Sequence, residues 1–204
     1  MNHPQVSNED MQQRIVRWAD LKHQGIPVMF IDSPLAKHQR INYAVIGDTA
    51  SENPEFKPAI REPHKFQVGI MAAPLGCGPA FHTHDYVEMF LVLKGRWRFY
   101  WGYDAEGEPT GEAILGEWDQ ITLPPGLYRG FESLEELSVT YAVLDPHQAF
   151  TGKDPYWPER VVREAAAAGF QADGRGKMIQ PEHYAQVRDE LKAKLEPLVL
   201  KHTP

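Results

Sequence analysis

The chain has 204 residues, 42% of them hydrophobic, and a formal net charge of -7. That length supports one domain with flanking elements and a sizeable core. The acidic balance argues against nucleic acid or an acidic membrane surface as a partner, and no run of about eighteen apolar residues offers a transmembrane helix.

The opening stretch, MNHPQVSNED, lacks the basic and apolar regions of a secretory signal. Ser7 followed three residues later by Asp10 forms a capping box. Behind it Met11, Ile15, Trp18 and either Ala19 or Leu21 recur at helical spacing and predict an amphipathic helix over residues 8–23. Gly25 and Pro27 end it. Val28–Ile31 and Ile41–Ile46 read as strands. Residues 48–63, with three prolines, read as a surface connection, with an entrance loop as the alternative. Lys65–Ala73 alternates as a strand does. Val87–Lys94 is nearly all apolar and predicts a strand buried on both faces. In Arg96–Trp101, Trp97, Phe99 and Trp101 share one face; such a row is read as core packing rather than pocket lining. Ala113–Leu115, Asp119–Leu123, Leu127–Phe131 and Leu137–Leu144 complete a set of short strands that suits a barrel or sandwich. Further on, Pro158 opens a helix over residues 158–168 that Gly169 ends, and Pro181 opens another, with acids early and lysines late.

One stretch carries chemistry. Gly76 to Gly95 reads GCGPAFHTHDYVEMFLVLKG, with His82, His84 and Glu88 between the glycines. His82 and His84 are two apart and share a strand face. An unbroken strand puts Glu88 there too; a break at Asp85-Tyr86 would deliver it from a hairpin instead. Two imidazoles and a carboxylate are good ligands for one divalent metal ion. Cys77, the single cysteine, excludes an intrachain disulfide and fits a reducing cytoplasm; in its Gly-Cys-Gly turn it reads as a packing residue. His147, His183 and His202 read as surface residues, and His64 is the outside candidate for a fourth ligand.

The spacing G-x5-H-x-H-x3-E-x6-G resembles the first motif of the cupin superfamily at every fixed position. Gly116 to Ser133, GEWDQITLPPGLYRGFES, resembles the second motif in part. Pro124, Pro125 and Gly126 supply its turn, Gly116 lies two residues early, and Arg129 and Ser133 replace the usual histidine and asparagine. The resemblance spans roughly residues 60–145. It implies an all-β, jelly-roll barrel (a double-stranded β-helix) at residues 61–146. Residues 1–60 would contribute an N-terminal helix and strands packing on it, and residues 147–204 two C-terminal helices.

An arginine cannot ligate a metal, so two arrangements stay open. In one, His82, His84 and Glu88 hold a single divalent ion (iron first, then manganese, nickel or zinc), and Arg129 clamps an anionic substrate. In the other, Arg129 pairs with Glu88 in place of the metal. By resemblance, the first implies an enzyme acting on a small organic acid, a dioxygenase ahead of a lyase or decarboxylase, with Tyr86 or Tyr128 as a proton donor. The second implies a binding module or a metal-free isomerase-like protein. The resemblance also implies a homodimer.

Overall fold

Alternating strands with one apolar face must bury that face against another layer. In the computed structural model, which describes residues 5–47, 51–61, 64–145, 155–173 and 177–204, they do so as two antiparallel sheets. The strands are β1 (Ile41–Ile46), β2 (Gln67–Pro74), β3 (Glu88–Lys94), β4 (Trp97–Gly102), β5 (Gly111–Leu115), β6 (Gln120–Leu123), β7 (Tyr128–Ser133) and β8 (Leu137–Leu144). The larger sheet has the order β1-β2-β8-β3-β6 and the smaller β5-β4-β7. Their inner faces meet in one core, in which Met71, Phe90 and Leu144 pack with Trp97, Phe99 and Phe131. The Phe90 and Phe131 rings cross edge-to-face at 4.7 Å between the sheets. Eight antiparallel strands with crossovers in two facing sheets form a jelly roll.

The row of aromatics on β4 therefore packs the core, with Trp97 and Phe99 fully buried. β3 differs from expectation: Glu88, Phe90 and Val92 are buried while Met89, Leu91 and Leu93 are only partly so. Its outer face has only partial cover, so the apolar run does not mark burial on both faces.

The flanking segments cover the rest. Helix α4 (Tyr184–His202) lays Leu191, Leu195 and Val199, four residues apart, on Ile41, Tyr43 and Val139 of the larger sheet. It runs through Pro197, whose missing N–H would leave one carbonyl a turn earlier unpaired; packing on both sides of that point keeps the helix going. It starts at Tyr184, so no acid lies in its first turn, and Lys201 and His202 close its last. Helix α3 (Glu159–Ala167) follows Pro158 as expected, and Gly169 leaves it at φ 85°. His183 is exposed and His202 is partly buried, 3.1 Å from Glu136; His147 lies outside the described residues. Among the described residues no helix is long and apolar enough to cross a membrane.

Two N-terminal expectations fail. The helix predicted over 8–23 is two pieces, α1 (Asn8–Gln12), with its Ser7–Asp10 capping box intact, and α2 (Trp18–Leu21). Met11 and Ile15 are about half exposed at 49% and 45%; a helix without a packed face does not persist at this length. Val28–Ile31 is not a strand either. Phe30–Asp32 forms a 3₁₀ turn, closed by the Asp32 carboxylate accepting from Met29 N at 3.0 Å. This turn, Phe56 and α3 form a second core beside the open end of the sheets.

Glu52 fastens that core. Its carboxylate accepts from Phe30 N at 3.0 Å and from Met178 N at 3.1 Å. Burial pushes its pKa up to about 7, against the two backbone hydrogen bonds that oppose it. A carboxyl with a raised folded pKa adds stability below its unfolded value of about 4.5 and loses it as pH rises through 7. The expected loss is about 3 kcal/mol. Urea unfolding of Glu52→Gln should show lower stability than wild type at pH 5 and a difference that shrinks or reverses by pH 8.

Candidate metal centre

The site is built where the two motifs meet. His82 N donates to Arg129 O at 2.9 Å and Arg129 N to His82 O at 2.8 Å, a two-way bridge that adds the His82 segment to the edge of β7. Side chains of a directly opposed pair project to the same face, so His82 and Arg129 come in together. Thr83 extends the pairing to Tyr156 in the same two-way manner. The chain then bends at Asp85-Tyr86, and Glu88 enters as the first residue of β3, opposite Leu144 and Leu123. A bend between two segments that pair with different strands, neither an unbroken strand nor a hairpin, delivers the carboxylate. Gly126 of the second motif's turn donates to His84 O at 2.9 Å and holds this bend. Gly76 and Gly95, which frame the first motif, both sit at φ 72°, where a side chain is strained. Gly78 has no room for a Cβ, which would lie 1.8 Å from Phe131 O.

His82, His84 and Glu88 converge, with one ligand atom from each lying within 4.8 Å of the others. Both rings are held by backbone carbonyls: His82 Nδ1 lies 2.7 Å from Ala80 O and His84 Nδ1 lies 2.9 Å from Tyr86 O. A carbonyl only accepts, so each Nδ1 carries the proton. In the neutral ring that leaves the Nε2 lone pair free, as metal-binding histidines require. Burial, then the charge of Arg129, holds His82 well below the usual histidine range, so it is neutral at pH 7. Tyr86 stacks on His84 with centroids 3.7 Å apart and fixes its plane. Burial pushes Glu88 up, but the His84 imidazole and the Arg129 guanidinium beside it outweigh that and hold the carboxyl below its ordinary range. Two imidazoles whose Nδ1–H groups are spent on carbonyls, together with a carboxylate, fit a divalent cation.

Arg129 is fully buried. Its Nη1 donates to Leu127 O at 2.9 Å and its Nη2 to His84 Nε2 at 2.6 Å. Nη2 is also 3.0 Å from His84 Nδ1, but two donors face each other there and make no hydrogen bond. Nε lies 3.7 Å from Glu88 Oε2, an ion pair rather than a hydrogen bond. A metal ion and Arg129 Nη2 thus compete for one lone pair on His84.

The three residues open onto a cavity of about 80 Å³, walled by Val28, Met29, Phe56, Met71 and Trp157 among others. Residues 51–61 therefore border the site through Phe56. Arg129 is not in the wall, so the expectation that it clamps a substrate anion does not match its position: its Nη atoms are already committed. Tyr86 lines the cavity and Tyr128 does not; Tyr128 stacks on Phe81 at 5.7 Å instead. His64 lies outside both the ligand cluster and the cavity, against Phe66. Cys77 donates to Ala36 O at 3.2 Å, and burial raises its pKa, which suits an inert packing thiol. Sequence reading missed Arg40, which lines the cavity. Nothing local marks it, because it reaches the site from the residue just before β1, some forty residues ahead of the motif.

No family model matches the chain, and no curated protein does. Among solved structures, the DMSP lyase DddQ from Ruegeria pomeroyi DSS-3 is similar at 18% identity and a TM-score of 0.43, over 58% of this chain and 52% of that one. CapF from Staphylococcus aureus is similar at 19% identity and a TM-score of 0.43, over 57% and 31%. The cupin domain of Cnp3 from Schizosaccharomyces pombe is similar at 13% identity and a TM-score of 0.39, over 53% and 61%. The chain thus spans about half the length of the lyase. Likeness at TM-scores this low carries no argument; the two facing antiparallel sheets by themselves give the chain a jelly-roll architecture.

Proposed function

We propose that this chain is a mononuclear metal-dependent cupin enzyme acting on a small organic acid, with His82, His84 and Glu88 as the ligands. The observation that carries this reading is the pair of Nδ1–H groups spent on Ala80 O and Tyr86 O, which leaves both Nε2 atoms available as ligands beside Glu88. A divalent ion held there supplies Lewis-acid polarisation of the substrate and, as iron, redox chemistry with dioxygen. The cavity walls orient the substrate and exclude water, and Tyr86, stacked on His84 and lining the cavity, is the proton donor. Dioxygenase chemistry is the first reaction class, and a lyase or decarboxylase the second.

Metal analysis of protein purified without chelator or histidine tag should find about one divalent ion per chain. His82→Ala should lose that ion while keeping its fold by circular dichroism. Wild-type protein that holds no metal and takes up none at micromolar concentration would rule the reading out.

One observation favours a second reading. The Arg129 Nη2–His84 Nε2 bond of 2.6 Å and the Arg129–Glu88 pair at 3.7 Å suit a metal-free binding site in which the guanidinium supplies the positive charge. Arg129→Met separates the two. In the enzyme, the variant loses a competitor for the lone pair and a repelling charge, so metal affinity should rise by tenfold or more in a competition titration. In the metal-free site, the variant strands the Glu88 carboxylate, should lose about 3–5 kcal/mol of stability in urea, and should gain no metal.

A further inference from the structure

Arg40 is a buried cation with an incomplete set of partners. It is 7% exposed and lines the same cavity as His82, His84 and Glu88. Its Nε donates to Asp32 Oδ1 at 3.0 Å, and the fully buried Asp32 is itself held by Met29 N at 3.0 Å. Nη1 has only the Met71 thioether sulfur, at 3.0 Å, a weak acceptor. Nη2 makes no hydrogen bond among the described residues. One carboxylate thus fixes the guanidinium by its Nε edge and leaves the far side for another acceptor.

Two more polar groups in the cavity wall lack partners among the described residues. The Trp157 Nε1–H is buried with no acceptor, and the Asn42 Oδ1 is buried with no donor. Buried polar atoms are nearly always satisfied, so such orphans call for a ligand or water. Charge points the same way. Arg40 and Arg129 balance Asp32 and Glu88, so a divalent ion on neutral imidazoles leaves two uncompensated positive charges in a low-dielectric site.

We infer that Arg40 and Trp157 form the carboxylate-binding end of the cavity, and that the substrate is a small carboxylic acid bearing a hydroxyl or amine for Asn42. This deepens the small-acid reading above and rests on it. The planar guanidinium would bind a carboxylate through its free edge, the indole N–H would donate to the same anion, and the Asn42 oxygen would accept from the neighbouring group. The cavity of about 80 Å³ restricts the acid to a few heavy atoms.

The test uses lactate and its neutral analogue lactamide as probes, titrated calorimetrically into the protein as purified, with metal content measured on the same samples. Wild type should bind lactate at least tenfold more tightly than lactamide. Because Arg40→Met alone strands Asp32, the double variant Arg40→Met/Asp32→Asn removes the pair together, a change that buried pairs tolerate. It should lose tenfold or more in lactate affinity, keep its lactamide affinity and keep its metal. Trp157→Phe should show a smaller loss confined to lactate. Equal wild-type affinity for both probes, no binding of either, unchanged lactate affinity in the double variant, or a loss seen in Arg129→Met but not in the double variant would each overturn the assignment. Failure of the metal reading shows separately, as wild-type protein without metal.

Discussion

The two-way backbone bridge between His82 and Arg129 is the constraint on which the site depends. It stitches the first motif to the edge of the smaller sheet, and it fixes which side chains meet. A slip of one residue would turn the imidazole and the guanidinium to opposite faces. The bridge continues through Thr83 to Tyr156, so the same register that sets the His82 side of the candidate metal centre also brings Trp157 over the cavity, 5.5 Å from the His82 ring.

Around that bridge the fold concentrates buried charge. Glu88, Arg129, Asp32 and Arg40 are all nearly inaccessible to water. Each has at least one opposite partner or backbone hydrogen bond, as burial requires. The two pairs differ in rigidity. Asp32 and Arg40 share a short hydrogen bond backed by Met29 N, whereas Arg129 and Glu88 are 3.7 Å apart and share His84 between them. The looser pair sits where a metal would act, and the tighter one stands across the cavity with donor capacity left over.

The segments before and after the two motifs are structural parts of the site. β1 pairs with β2 along the larger sheet and carries Asn42 to the wall. The 3₁₀ turn at Phe30–Asp32 replaces the predicted strand because Asp32 spends its carboxylate on closing the turn and on Arg40. Glu52 then ties that turn to Met178, so the C-terminal region supports the cavity through one bridging carboxylate. Leu191, Leu195 and Val199 perform the simpler task of covering the outer face of the larger sheet.

Local pattern sufficed where local physics decides. Alternation set the eight strands to within a few residues, glycines at positive φ marked the turns, and the His-x-His-x3-Glu spacing marked the ligands before any contact was known. Sequence alone could not settle features that depend on a distant partner. The helix over 8–23 broke because no surface received Met11 and Ile15, and α4 outran Pro197 because the larger sheet did receive its apolar stripe. The position of Arg129 in the motif is visible in the sequence and leaves both a substrate clamp and a pair with Glu88 open. Its direction is not visible there, since His84 and Leu127 O claim its nitrogens only once the strands pair. Arg40 carried no local signal at all; sheet pairing and a 3₁₀ turn closed by Asp32 brought it to the cavity. The sequence by itself located the eight strands, along with a ninth at Val28–Ile31 that does not form, and the pairing of two histidines with a carboxylate, because these follow from spacing along one chain. Only the tertiary structure decided which cations face the ligands and which faces the cavity, because that depends on register between segments far apart in sequence.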